Sequence, residues 1–249
     1  MLAHQLRRAA PKSAYPRYVG GASSYEAATT YTEPGQISVS LTSLTGGLAS
    51  SPSAGDLVVV VIGSCGTQTS DYDVKMTTSG YTEQVELFAS DTVKTNFGVF
   101  TKFMGATPDT TAVGASGFNG QYRVMLVQVW RGVNQTTPMD VTLTSTTGTD
   151  GATVDAPSIT PTTPKSVVLA IGSAADVLTA SNALSALTVP SGMTNFVGQD
   201  CFYNAYRVEA AGIASVEWTG GAYNPAAFGG GSTYTGASWA AATLALRPA

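Results

Sequence analysis

The residues that could do chemistry are few, and their spacing does not suit it. A Ser-His-Asp or Cys-His hydrolase needs an imidazole beside its nucleophile, and the chain has one histidine, His4, among its first residues. Cys65 and Cys201 lie far apart in sequence, and neither has a second Cys or a His at metal-ligand spacing. They read as ordinary half-buried thiols rather than a disulfide framework or a zinc site. No Gly-rich phosphate loop, His-Glu-x-x-His helix or Gly-x-Ser-x-Gly elbow occurs. Carboxylate pairs remain: Glu83 with Glu86 on one expected strand, Asp71 with Asp73 in a loop, and Glu209 with Glu217. Glycoside hydrolysis would need two of them facing each other across a cleft. Asp71, Asp73, Asp150 and Asp155 offer oxygens of the kind calcium takes, but isolated loop aspartates more commonly form turns. The expectation is a non-enzyme with no catalytic residue, no cofactor and no metal.

Two groups of residues suit contact better than catalysis. Tyr223, Phe228, Tyr234 and Trp239 surround the loop Gly229-Gly230-Gly231-Ser232, and rings on such backbone can stack on sugars or enter a neighbouring subunit. The plain alternative is that they pack beneath the loop, with Trp239 opening the last core strand. The second group is basic. Arg7, Arg8, Lys12 and Arg17 are four of the twelve bases and precede every acid. With Tyr15 and Tyr18 as ring anchors, this segment forms a candidate arm for docking on an acidic protein surface. The alternative is a solubilising tail.

The scaffold that must hold these groups is poor in charge. Only 11% of the 249 residues are charged, the net charge is -4, and glycine accounts for 27 positions. The polar surface is therefore built from hydroxyls and backbone, which permits close subunit packing. An acidic balance argues against a nucleic-acid-binding body. The longest apolar run, Leu57 to Ile62, falls well short of the roughly 20 residues of a membrane helix, so no membrane insertion is expected. The first 18 residues are basic but lack the apolar stretch of a secretory signal.

One pattern occurs twice. Asp56-Leu57-Val58-Val59-Val60-Val61-Ile62-Gly63-Ser64 returns as Ser166-Val167-Val168-Leu169-Ala170-Ile171-Gly172-Ser173. Each copy is followed by Ser-Gly-x-Thr, at Ser79 to Thr82 and at Ser191 to Thr194, and each half closes on an apolar run, Tyr122 to Trp130 and Trp239 to Leu246. Short β-branched runs separated by Gly, Pro, Asn and Asp turns, without a long 3.6-residue period, predict strands only. The expected fold is all-β: a jelly-roll-like antiparallel β-sandwich built from two related halves, with an extended N-terminal arm. The arm is expected over residues 1–36 and the sandwich over 37–249, with halves at about 37–144 and 165–249 joined by a Thr/Pro/Gly-rich linker.

Gly55-Asp56-Leu57, Ser79-Gly80-Tyr81-Thr82, the Val124 to Val133 run with Arg131-Gly132-Val133, and Thr137-Pro138-Met139-Asp140 together resemble a group of β-sandwich virion surface proteins of tailed bacteriophages and related prophage-like particles. The resemblance spans roughly residues 54 to 246, and Tyr81 stands where that group more often has Trp. It implies a structural protein located in the virion: a capsid decoration or spike subunit of the head, held by its N-terminal arm. It would form a homo-oligomer and touch other virion proteins of capsid or tail. The alternative it leaves open is a tail or fibre protein, or a carbohydrate-binding module for host attachment through surface glycans.

Overall fold

The computed structural model describes residues 15–27, 35–66, 71, 73–91, 93–116, 122–149, 153–175, 185–203, 206–231 and 237–249. Among these residues there is no helix; the chain forms antiparallel sheets packed on one another, a β-sandwich. The first half contributes β1 (Arg17–Ala27), β2 (Gly35–Ser40), β3 (Leu57–Gly66), β4 (Val74–Met76), β5 (Thr82–Ser90), β6 (Lys94–Phe103), β7 (Thr111–Ser116) and β8 (Tyr122–Arg131). The second contributes β9 (Thr144–Thr149), β10 (Val167–Ala175), β11 (Ser185–Thr188), β12 (Thr194–Tyr203), β13 (Tyr206–Glu217), β14 (Gly229–Gly231) and β15 (Ser238–Leu246).

The repeated sentence of the sequence is repeated in strand order. One five-stranded sheet runs β1-β8-β3-β6-β5 and the other β9-β15-β10-β13-β12, so the two copies of the Val-rich run, β3 and β10, are both central. Smaller sheets β2-β7-β4 and β11-β14 complete the set. Pairings nest in each half. β1 with β8, β2 with β7 and β3 with β6 have as counterparts β9 with β15, the Val154–Phe228 bridge, and β10 with β13. The turns agree as well: Gly55 and Lys165, each just ahead of a central strand, have φ of 82° and 70°, and Gly80 and Gly192 have 84° and 81°.

Packing on both faces of the large sheets explains the continuous apolar runs. Leu57, Val59 and Val61 face Val167, Leu169 and Ile171 in a core between the two five-stranded sheets. Their neighbours Val58, Val60 and Ile62 turn the other way, onto Ile37, Val39 and Val74 of the three-stranded sheet. In the second half Ala170 and Ala174 pack beneath Leu187 and Phe228. Each five-stranded sheet is thus an inner layer of a stack, buried on both faces, and a strand there carries no polar alternation. Two packed sheets were the expectation; the molecule is deeper than that because each large sheet also has a small one outside it.

Boundaries shift where short-range signals were misleading. Arg17–Ala27 lies within the expected arm, yet it is a strand of the first sheet, paired with β8 along its whole length. The expected strand Met139 to Thr144 starts later, as β9 at the head of the expected linker. The segment read as two strands, Asn204 to Ala210 and Ala214 to Trp218, includes one continuous β13.

Candidate functional site

The two halves meet along a seam where β1 and β12 come together, and the seam is organised by one buried amide. Gln128 on β8 is fully buried and points into the core between the large sheets. Its Nε2 donates to the carbonyl of Asn195 at 2.6 Å and to that of Ile213 at 3.3 Å, while its Oε1 accepts from Trp130 Nε1 at 3.2 Å. The bonds to Ile213 and from Trp130 are buried and that to Asn195 is partly so, which makes them costly to lose. Trp130 in turn holds Tyr18, with ring centroids 5.4 Å apart and planes tilted by 56°. Farther along the seam Ser23 Oγ donates to Gln199 Oε1 at 2.8 Å, and on the other flank of the sheets Ser238 bonds Thr95 at 3.1 Å.

Both edge strands break register at the seam, β1 between Tyr18 and Gly20 and β12 between Thr194 and Val197. Asn195, inside the second irregularity, has φ of 51°, a left-handed conformation that asparagine tolerates better than most residues. Its Nδ2 donates to Ser215 Oγ at 2.9 Å. Between the bulges lies a groove of about 480 Å³ walled by Tyr18, Phe196, Asn195 and the hydroxyls of Ser40, Ser43 and Thr45. Next to it, a hollow of about 310 Å³ is bordered by Arg17, Leu48 and Glu217. Burial pushes the Tyr18 phenol up to about 12, so it stays protonated at neutral pH.

Charged side chains mostly pin loops. Arg131 grips Asp56 with two bonds of 2.8 Å, from Nε and Nη2, and the Asp56 carboxylate also accepts from Ser53 N at 2.8 Å. Asp140 is the counterpart at the end of the second half. Arg247 Nε donates to it at 3.2 Å and Thr163 N at 3.0 Å, with Thr162 N a further donor. Burial alone would raise the Asp140 carboxyl, but these donors outweigh it and hold it below the usual carboxylate range. Lys102 bonds Asp109 at 2.6 Å and sits 5.4 Å from the Tyr81 ring centre.

Most of the carboxylates singled out in the sequence lie on the surface among the described residues. Glu86 lies near Asp71, Asp73 and Glu83; burial first and those like charges second raise its carboxyl, while the Val74 N–H it accepts opposes them. Asp71, Asp73 and Glu83 are exposed on the surface, as are Asp155 and Glu217. Asp150 and the side chain of Glu209 lie outside the described residues. Among the described residues no three His, Cys, Asp or Glu come together as a metal site, and no helix is long and apolar enough to cross a membrane. Cys65 and Cys201 form no disulfide and are fully buried rather than half-buried.

Among the aromatic contact candidates, Tyr223, Phe228 and Trp239 come together in one apolar cluster of the second half. Phe228 is fully buried against Gly172 and Gly212, which removes it from any glycan or subunit surface. Tyr223 is half-buried and bridges Ile159 through both backbone groups, and burial raises its phenol. Trp239 is half-buried, lying over Gly148, its partner across the β9–β15 pair. Tyr234 lies outside the described residues, as do Arg7, Arg8 and Lys12. Tyr15 and Tyr18 pack on the chain's own central core, and Arg17 is exposed. The seam residues Gln128 and Asn195 were missed. A lone Gln between Val127 and Val129 in an otherwise apolar run was the available signal, since a buried amide requires partners. No protein-family model, no curated protein and no solved structure matches this chain.

Proposed function

We propose that the chain is a non-enzymatic structural subunit of a tailed-phage-like virion, a decoration or spike protein of the head that associates with copies of itself. Each nested set of strands is read as one jelly roll, so that the subunit is a tandem pair sharing a core. The basic residues ahead of Tyr15 are assigned to an acidic neighbour in the particle, because the tyrosines that follow are already engaged by the chain's own body.

The observation that carries the assembly reading is the outer edge of β9. Natural sheets blunt their edges with charges, bulges or proline, because an unpaired row of N–H and C=O groups invites another strand. β1 has a register break with Arg17 and Glu26 near its ends; β5 has one beside Glu83; β12 has two and carries Asp200. β9 reads Thr-Ser-Thr-Thr-Gly-Thr, pairs with β15 without a break, and has no strand on its other side among the described residues. Two such edges related by a two-fold axis place hydroxyl rows opposite one another, a favourable cross-strand pairing. Sedimentation of the purified chain tests this. The wild type is expected to form a dimer or larger species and Thr147→Lys a monomer; equal behaviour of the two removes β9 as the contact.

A further inference from the structure

The seam groove has features that stability does not require. Register breaks protect edges, but here two of them face each other, and one holds Asn195 in a left-handed conformation. Strain of this kind persists where the surroundings enforce it and gathers at sites that clamp a ligand. The enforcement is visible: Gln128 holds the Asn195 carbonyl and Ser215 holds its amide nitrogen. Two polar atoms are left over. Neither the Tyr18 hydroxyl nor Asn195 Oδ1 has a hydrogen-bond partner among the described residues, and both residues line the groove.

The lining chooses the ligand class. No Asp, Glu, Lys, Arg or His borders the groove, so a phosphate, carboxylate or ammonium would be desolvated without a counter-charge. A purely apolar ligand would leave the Tyr18 hydroxyl, Asn195 Oδ1 and the Ser43 hydroxyl without a partner, whereas Ser40 and Thr45 already bond Thr42 and the Gly21 carbonyl. An uncharged sugar satisfies both demands: its hydroxyls exchange bonds with Ser, Asn and Tyr, and its apolar ring face covers the ring of Tyr18. We propose that the seam groove binds a short neutral saccharide. The site lies at the β1–β12 end of the sheets and β9 at the opposite end, so it stands independently of the assembly reading.

The test uses the full chain on an array of neutral oligosaccharides built from glucose, galactose, mannose, rhamnose and N-acetylglucosamine, printed beside sialylated and uronic-acid glycans. The best neutral binder is then titrated against Tyr18→Phe, Asn195→Gly and Ser43→Ala. Tyr18→Phe removes no bond within the protein, so its thermal midpoint should stay near that of the wild type; glycine accepts the φ of Asn195 but gives up the bond to Ser215, so Asn195→Gly is read beside Tyr18→Phe and its own thermal midpoint. Retention of a neutral glycan, with affinity falling about tenfold in Tyr18→Phe or Asn195→Gly, supports the site. Retention of charged glycans alone, of none, or of a neutral glycan whose affinity no variant lowers, overturns it. Thr147→Lys should bind the same glycan as the wild type, whatever becomes of self-association.

Discussion

Asp56 and Lys165 show how much a single position decides in this chain. Asp56 is 1% exposed, and its two-bond grip on Arg131 is what makes a carboxylate tolerable there. Arg131→Ala leaves that carboxylate with Ser53 N as its remaining donor. It should cost about 2 kcal/mol, lowering the thermal midpoint by roughly 4–8 °C. Lys165 occupies the left-handed position that Gly55 fills in the first half. Lys165→Gly should therefore stabilise by about 0.5–1 kcal/mol, and Gly55→Lys should destabilise, both read by calorimetry. Asp140 gives a pH signature. Its carboxyl is depressed in the folded chain, so its contribution is complete above the unfolded value of about 4 and fades as pH falls through the folded value. The gap in thermal midpoint between wild type and Asp140→Asn should be constant near neutrality and shrink below about pH 4.

At the scale of elements, the question is what keeps two nested sheet sets in one body. Apolar packing does most of it, but Gln128 sets the register between β8, β12 and β13. Gln128→Leu fills the same space, leaves Trp130 Nε1 buried without its acceptor and takes a donor from the Asn195 and Ile213 carbonyls. A loss of about 2–3 kcal/mol is expected in denaturant unfolding, larger than an apolar swap of equal volume would give. The strands themselves were largely legible in the sequence. β3, β8, β10 and β15 announced themselves as β-branched or apolar runs between turn residues, because burial on both faces leaves no polar position. β1 was hidden. Arg17-Tyr18-Val19-Gly20-Gly21 carries the glycines of a loop, yet Gly21 is needed where Val197 and Tyr18 press against the backbone. β4, β11 and β14 are only three or four residues long, too short for alternation to be read. The seam groove was illegible for a different reason: its walls come from β1, the loop after β2, and β12, and only the packing of the halves brings them together.

The whole molecule is a stack of layers in which several charged pairs pin its own loops. Gln128, Asp56–Arg131 and Asp140–Arg247 hold the halves and their connections in place, and among the described residues the β9 edge has no partner strand. Such a body suits a fixed place in a larger shell, with a sugar-sized groove at the far end of the sheets from the contact. The N-terminal bases fit the same picture as a tether to an acidic neighbour, and their neutralisation in Arg7→Gln/Arg8→Gln/Lys12→Gln should release the chain from particles at lower salt than the wild type. The most direct test is the number of copies of this chain in purified particles, counted by quantitative mass spectrometry against the major shell protein. A decoration or spike subunit is present in high, symmetry-related copy number. A few copies per particle would contradict the placement on the head and move the chain to the tail, and its absence from particles would contradict the account altogether.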